Sequence, residues 1–315
     1  MSFVWSLKRE WMEHASTFYW AMGIMVLMML SSALIVTLID ANYEFTSTEF
    51  SELSDNSDEG QFEHFMDEEG NVFVRGLGAI ATLALDPAGS TDEELREKMS
   101  APLDVVELIF HWVLLIVSVF TLVAVMYDER KDQSILFWKS MPVSDVQSVA
   151  SKFVFVAWIA PLITIVGIFL GQLVVVGLAS SAVEDGMGGR IWSASELWGR
   201  PFANLLGYLV HGLWILPVYA WVMLVSSFAK SAPFLWAIGI PWVVFWFEGI
   251  FFGSSRIATW VYSHIEAQAL PHIAKSESGA GALSTLLSGH LFIGVLVGLG
   301  LLALTVYCRR RYTEL

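Results

Sequence analysis

The chain has 315 residues, a formal net charge of −14, and only 15% charged against 56% hydrophobic residues. A soluble domain carries about 25% charged residues, so an ordinary soluble enzyme is excluded. Without a basic patch on a soluble domain there is no surface for nucleic acid, and the single cysteine, Cys308, permits no intrachain disulfide.

Residues 2–16 read as an amphipathic helix, with Val4, Leu7 and Trp11 on one face and Lys8, Arg9, Glu13 and His14 largely elsewhere. It either lies in the membrane interface or extends the first span, about 17–39, into the cytoplasm. That span sits in a run free of Asp, Glu, Lys and Arg from Ala15 to Ile39, and it is too long for a cleaved signal peptide. Residues 40–102 form the one large loop, acidic and Ser-rich at first, with a helix start near Ser90 or Thr91 backed by Asp92, Glu93 and Glu94. A core of its own is not expected there. Further charge-free runs place spans at about 108–127, 153–178, 203–228, 232–252 and 289–308. About 20 apolar residues suffice to cross a hydrocarbon core about 30 Å thick. Pro161, Gly167 and Gly171 in the third span, Pro217 in the fourth and Pro241 in the fifth mark kinks or close helix contacts. Trp20, Trp158, Trp198 and Trp260 fall near expected interfaces.

The spans must be helices, because lipid offers no partner to backbone N–H and C=O groups, and runs apolar on every face do not suit a barrel. The expectation is an all-α integral membrane protein with six transmembrane helices. Lys and Arg in short loops prefer the cytoplasm. Placing both termini inside puts Lys8, Arg9, Arg130, Lys131, Lys139, Lys152, Lys230, Arg309, Arg310 and Arg311 on that side, all in short segments. The acidic 40–102 loop is then external, and the charge-rich segment 128–152 is cytoplasmic.

That segment carries the functional signal. From Glu129 it reads ERKDQSILFWKSMPVSDVQSVASK. Asp132 can cap a short helix holding Ile135, Leu136, Phe137 and Trp138; Pro142 forces Met141 toward an extended conformation. Ser144 with Gln147 forms a capping box that restarts a helix into the third span. Large apolar groups exposed on such a helix mark a partner site or an interfacial contact.

The segment resembles the ATP-binding-cassette permeases of the second, exporter-type membrane family, at Glu129, Arg130, Ser134, Ile135, Pro142, Val143, Ser144 and Lys152. Gln133 stands where that family often has Gly, and Ser134 where it often has Thr. The resemblance implies a coupling helix over 129–145 that docks on a separate ATPase subunit through Glu129, Arg130, Ile135, Phe137, Trp138, Pro142 and Ser144. It also implies a second copy or paralogue of the permease, an inner-membrane location, and an external re-entrant hairpin over 249–289. ATP and Mg would sit on the partner ATPase, since no G-x-x-x-x-G-K-[ST] loop occurs here; no cofactor or metal is expected on this chain.

Glu248 is the one carboxylate read as intramembrane and stands as a possible functional group, or as an interfacial residue at the helix break before Gly249 and Gly253. Asp104 and Glu107 read as interfacial. His111 and His211, inside spans, read as hydrogen-bonded packing residues. His264, Glu266 and His272 lack zinc-motif spacing, and the stretch Asp55 to Gly60 lacks the closing Glu of a calcium loop, with Met66 in its place. Two other functions share the same hydropathy. One is a membrane anchor or regulatory subunit that moves no cargo; the other is a secondary transporter, which calls for polar groups at mid-membrane and an internal repeat.

Overall fold

The computed structural model describes residues 3–40, 44–45, 74–75, 85, 87, 89–183, 186–265 and 288–311. The calcium-like stretch at 55–60, Met66, Glu266, His272 and most of the 249–289 hairpin lie outside the described residues. In chain order the elements are α1 (Phe3–Asp40), the antiparallel pair β1 (Glu44–Phe45) and β2 (Val74–Arg75), α2 (Asp92–Lys131) and α3 (Ser134–Ser140). They continue with α4 (Asp145–Val154), a π-turn (Phe155–Ile159), α5 (Ala160–Ala182), α6 (Gly188–Ala194) and α7 (Arg200–Trp214). The chain then forms α8 (Leu216–Phe228), α9 (Pro233–Phe252), α10 (Arg256–Ile265) and α11 (Gly289–Arg311). Five of these stretches are long and apolar enough to cross a membrane, and the bent pair α7–α8 makes a sixth if it is one span. The protein is an all-α, multi-pass membrane protein.

No break separates an interfacial helix from the first span: α1 runs unbroken from Phe3, because no Pro or Gly falls before Gly23. Near its start its polar residues, not its apolar ones, face the protein. Ser6, Glu10 and Phe18 are buried while Val4 and Trp11 face out. The polar stripe at i, i+4 spacing packs inward and Val4 and Trp11 are left exposed.

The π-turn ahead of Pro161 compensates for the missing proline N–H and rotates Trp158. The Trp158 indole donates to the Leu209 carbonyl at 3.2 Å. It lies so close to Gly212 that a Cβ there would sit 2.4 Å from its Nε1. The α7–α8 pair bends by 55° at Ile215, two residues before Pro217, which has no N–H to give the Leu213 carbonyl.

The chain divides into two compact units. In the unit of residues 23–107 and 167–200, α2 begins sixteen positions before the expected span. Thr91 and Glu94 form a reciprocal capping box, with Glu94 Oε2 accepting from the Thr91 N–H at 2.8 Å. The last part of the large loop has no core by itself but joins one built with later segments. Leu95, Met99 and Leu103 on one face of α2 pack with Leu85, Val176, Val183, Ile191, Ala194 and Leu197. Full burial of each large apolar side chain stabilises by about 1.5–3 kcal/mol. Arg190 donates to the Pro87 carbonyl, to the Ser90 carbonyl at 3.0 Å and to Asp92 at 2.7 Å. Arg200 meets Asp104 at 3.0 Å, so these two arginines hold the unit's own backbone and helix start.

The other unit, residues 1–22, 108–166 and 201–315, is organised around α8. Helix α8 packs along α11, and Gly298 permits their closeness: a Cβ there would fall 1.5 Å from Leu216 Cδ2.

Candidate functional site between the second and third spans

Segment 129–145 leaves α2 at its last turn. Gln133, not Asp132, is the N-cap of α3; it holds φ 56°, ψ 11° and makes no side-chain cap. This left-handed conformation disfavours any side chain with a Cβ, which explains why glycine suits the position. Met141 is extended at φ −85°, ψ 154°, as Pro142 demands. The Ser144 hydroxyl accepts the Gln147 N–H at 3.1 Å, and the Gln147 side-chain amide donates to Ser6 of α1 at 3.0 Å.

The short helix has an inner and an outer side. Ile135 is fully buried. Leu136 is 57% and Phe137 60% exposed, and they stand among the exposed charges of Lys131, Asp132 and Lys139. Trp138 is half-buried beneath the Arg9 guanidinium, 4.3 Å from its ring centroid, and packs edge-on against Phe137 at 5.1 Å. The outward apolar pair is therefore Leu136 and Phe137, with Trp138 turned toward α1. Pro142 and Ser144 are exposed.

Beneath the helix lies a buried ionic network. Glu129 accepts from Lys152 Nζ at 3.0 Å and from Arg309 Nη1. Lys152 also meets Glu10 at 3.2 Å, and Glu10 is paired with Arg9. Arg309 Nε lies 3.3 Å from Asp145 Oδ1, a charge contact without aligned hydrogen-bond geometry. Arg9, Lys152 and Arg309 thus face Glu10, Glu129 and Asp145, and at the network's surface Glu13 lies 3.9 Å from Arg9 and Arg310 3.7 Å from Asp145. Such pairing is the condition on which charges are tolerated away from water.

Arg130 faces the other way. Its Nη2 donates to the Ser226 and Ala229 carbonyls at 2.9 and 2.6 Å. A cation there satisfies the open carbonyls at the end of α8. The Ser226 hydroxyl in turn enters the backbone ladder of α2, donating to the Val123 carbonyl at 2.6 Å and accepting from the Tyr127 N–H at 3.0 Å. The last turn of α2 is held by α8 on one side and by the charge network on the other.

Glu248 sits apart from this site. Its carboxylate accepts from the Ser254 hydroxyl at 2.8 Å and the Ile257 N–H at 3.0 Å. It caps the first turn of α10 across the turn at Gly253, whose φ is +59°. His111 and His211 meet edge to face at 4.8 Å; neither His111 nitrogen has a hydrogen-bond partner, nor does His211 Nδ1. His111 is packed rather than hydrogen-bonded, which corrects the sequence expectation for that residue. His264 stacks on Trp214 at 5.3 Å and donates from Nδ1 to the Trp260 carbonyl at 2.7 Å. Among the described residues, Glu10, Glu13 and His14 could together approach a metal ion. Two cations, Arg9 and Lys152, already occupy Glu10, and they oppose a third.

The sequence reading passes over Arg9, Glu10, Asp145, Arg309 and Ser226. Arg309 is visible there only as part of a basic cluster that orients the chain, and Glu10 only as one polar residue of α1. The stripe Ser6, Glu10, His14, Phe18 at i, i+4 spacing is the signal that could have revealed a polar face turned inward.

Residues 100–191, which include the whole of this segment, match the family model described as ABC-2 family transporter protein. The match supports an ATP-binding-cassette transporter permease. No curated protein and no solved structure matches the chain.

Proposed function

We propose that the chain is the membrane-spanning permease subunit of an ATP-binding-cassette exporter in a cytoplasmic membrane, and that a separate ATPase docks on α3. The observation that carries this reading is the outward pair Leu136–Phe137 on a helix whose base is fixed by buried charges. An apolar tip ringed by Lys131, Asp132 and Lys139 is in water, where exposed Leu and Phe mark a protein contact. A rigid base lets a force on that tip reach the spans. Both termini lie on the ATPase side. One set of spans calls for a second copy or a paralogue. ATP and Mg bind the partner, and ATP-driven closure of two ATPases shifts the permease between inward- and outward-open states by its differential affinity for them.

The test replaces Leu136 and Phe137 with Ala together in the full chain. The ATPase is expected to be lost on co-purification, and permease-stimulated ATP turnover with it; unchanged capture and unchanged turnover reject the docking role. A membrane-impermeant amine reagent is expected to reach Lys139 only in inverted vesicles. Labelling from the outside of intact cells rejects the orientation.

A further inference from the structure

We propose that Arg309 is a positioning residue that clasps both ends of segment 129–145 and ties α3 to the α8–α11 pair. This rests on the docking reading above. Arg309 is 3% exposed in the last turn of α11. Its guanidinium donates to Glu129, where the chain leaves α2, and lies 3.3 Å from Asp145, where the chain enters α4. Nη1 also contacts Met126 Sδ at 3.3 Å. One planar fork therefore touches the residues on either side of α3, a geometry that a lysine ammonium cannot reproduce.

Orientation in the membrane requires basic residues near a span but gives no reason to bury one. Arg310 and Arg311, which are exposed, are sufficient for that purpose. The burial of Arg309 marks a different task. Its helix packs on α8 with Gly298 against Leu216, and the end of α8 receives Arg130 through the Ser226 and Ala229 carbonyls. The entrance to segment 129–145 is thus anchored to α11 by Glu129 and to α8 by Arg130, and its exit is anchored to α11 by Asp145. A push on Phe137 moves these helices as one body instead of being absorbed in the connections at Gln133 and Met141. Proximity alone does not prove such transmission, so the test measures coupling.

The full chain with its ATPase is compared as native protein, Arg309→Gln, Asp145→Asn, the double variant, and Arg311→Gln as a control of equal charge loss. All are expected to retain the ATPase on co-purification. Permease-stimulated ATP turnover is expected to fall about tenfold in Arg309→Gln and less in Asp145→Asn. In the double variant it falls no further than in Arg309→Gln alone, because the two groups share one contact. Arg311→Gln stays near native. Native-like stimulated turnover in Arg309→Gln, losses that multiply independently, or an equal loss in Arg311→Gln overturn the inference. If Arg309→Gln does not accumulate, Asp145→Asn and Asp145→Glu decide: the inference expects the charge-retaining Glu to restore turnover, and equal losses refute it. A native chain that captures no ATPase defeats the docking reading and the clasp together, whereas capture with an indifferent Arg309 defeats the clasp alone.

Discussion

Glu129 is the carboxylate on which the buried network turns, and Glu129→Gln is its sharpest probe. The substitution keeps the side-chain shape and removes one charge. Lys152, 3.0 Å away, and Arg309 then lose a shared anion while remaining buried. Removing one partner of a buried ion pair costs about 3–5 kcal/mol, most of it from the charge left behind. Here each cation keeps a second anion, Glu10 at 3.2 Å for Lys152 and Asp145 at 3.3 Å for Arg309. The expected loss is therefore at the low end, about 3 kcal/mol. Lys152→Met is expected to cost about the same, about 3 kcal/mol, because Glu10 and Glu129 likewise each keep one partner, Arg9 and Arg309. The double variant restores the balance of buried charge and is expected to lose less than the sum of the singles. Reversible unfolding of the purified chain in mixed micelles, followed by tryptophan fluorescence, measures all three. A loss under about 1 kcal/mol in Glu129→Gln, or strict additivity in the double variant, refutes the claim that these charges act as a buried unit.

Three further perturbations have outcomes fixed by local geometry. Gly298→Ala places a methyl within 3.1 Å of the Leu216 backbone as well as against its side chain. It is expected to cost about 1–3 kcal/mol, partly recovered by Leu216→Ala in the same unfolding measurement. At Gln133, with φ 56°, Gln133→Gly is expected to raise stability by less than about 1 kcal/mol and Gln133→Val to lower it by about 1–2 kcal/mol; a reversed order refutes the strain argument. Burial holds the His264 imidazole below its usual range, with the Trp260 carbonyl opposing. The unfolded chain takes up that proton below about pH 6.5 while the folded chain resists it. Stability is thus intact above that pH and falls as the pH drops toward the depressed folded value. Melting between pH 7.5 and pH 5 is expected to shift less in His264→Asn than in the native chain.

The sequence makes the spans legible because charge-free runs about 20 residues long have few other uses, and it makes the punctuation legible where one residue decides it. Thr91, Pro142 and Ser144 act as their chemistry requires. Helix length is where local signals fail. Asp104 and Glu107 suggest a membrane boundary, yet α2 begins at Asp92 and passes through Pro102, because Leu95, Met99 and Leu103 have partners on α5 and α6 that no local window contains. Asp132 fails as a cap for the opposite reason. The turn at Gln133 is left-handed, and this places the capping position one residue later.

The candidate site divides along the same line. Residues adjacent in sequence, from Glu129 to Ser144, can be found from the pattern they form together. Of their supports only Lys152 belongs to that pattern; Glu10 and Arg309 come from separate helices, and each has an adequate local explanation as a polar or orienting residue. What distinguishes them is burial, and burial depends on which face of a helix turns inward. For α1 that face is the polar one. In a soluble helix the apolar face is driven inward by water, whereas in lipid an apolar face gains nothing by turning inward, and charges gain pairing and hydrogen bonds only from each other. Val4 and Trp11, on the apolar face, are accordingly left outward. Under the membrane rule the stripe Ser6, Glu10, His14, Phe18 is the packing face, and a buried acid on it requires a cation. Lys152, at the head of the third span, is that cation, and Glu129, its second anion, brings the network to the segment that carries Leu136 and Phe137.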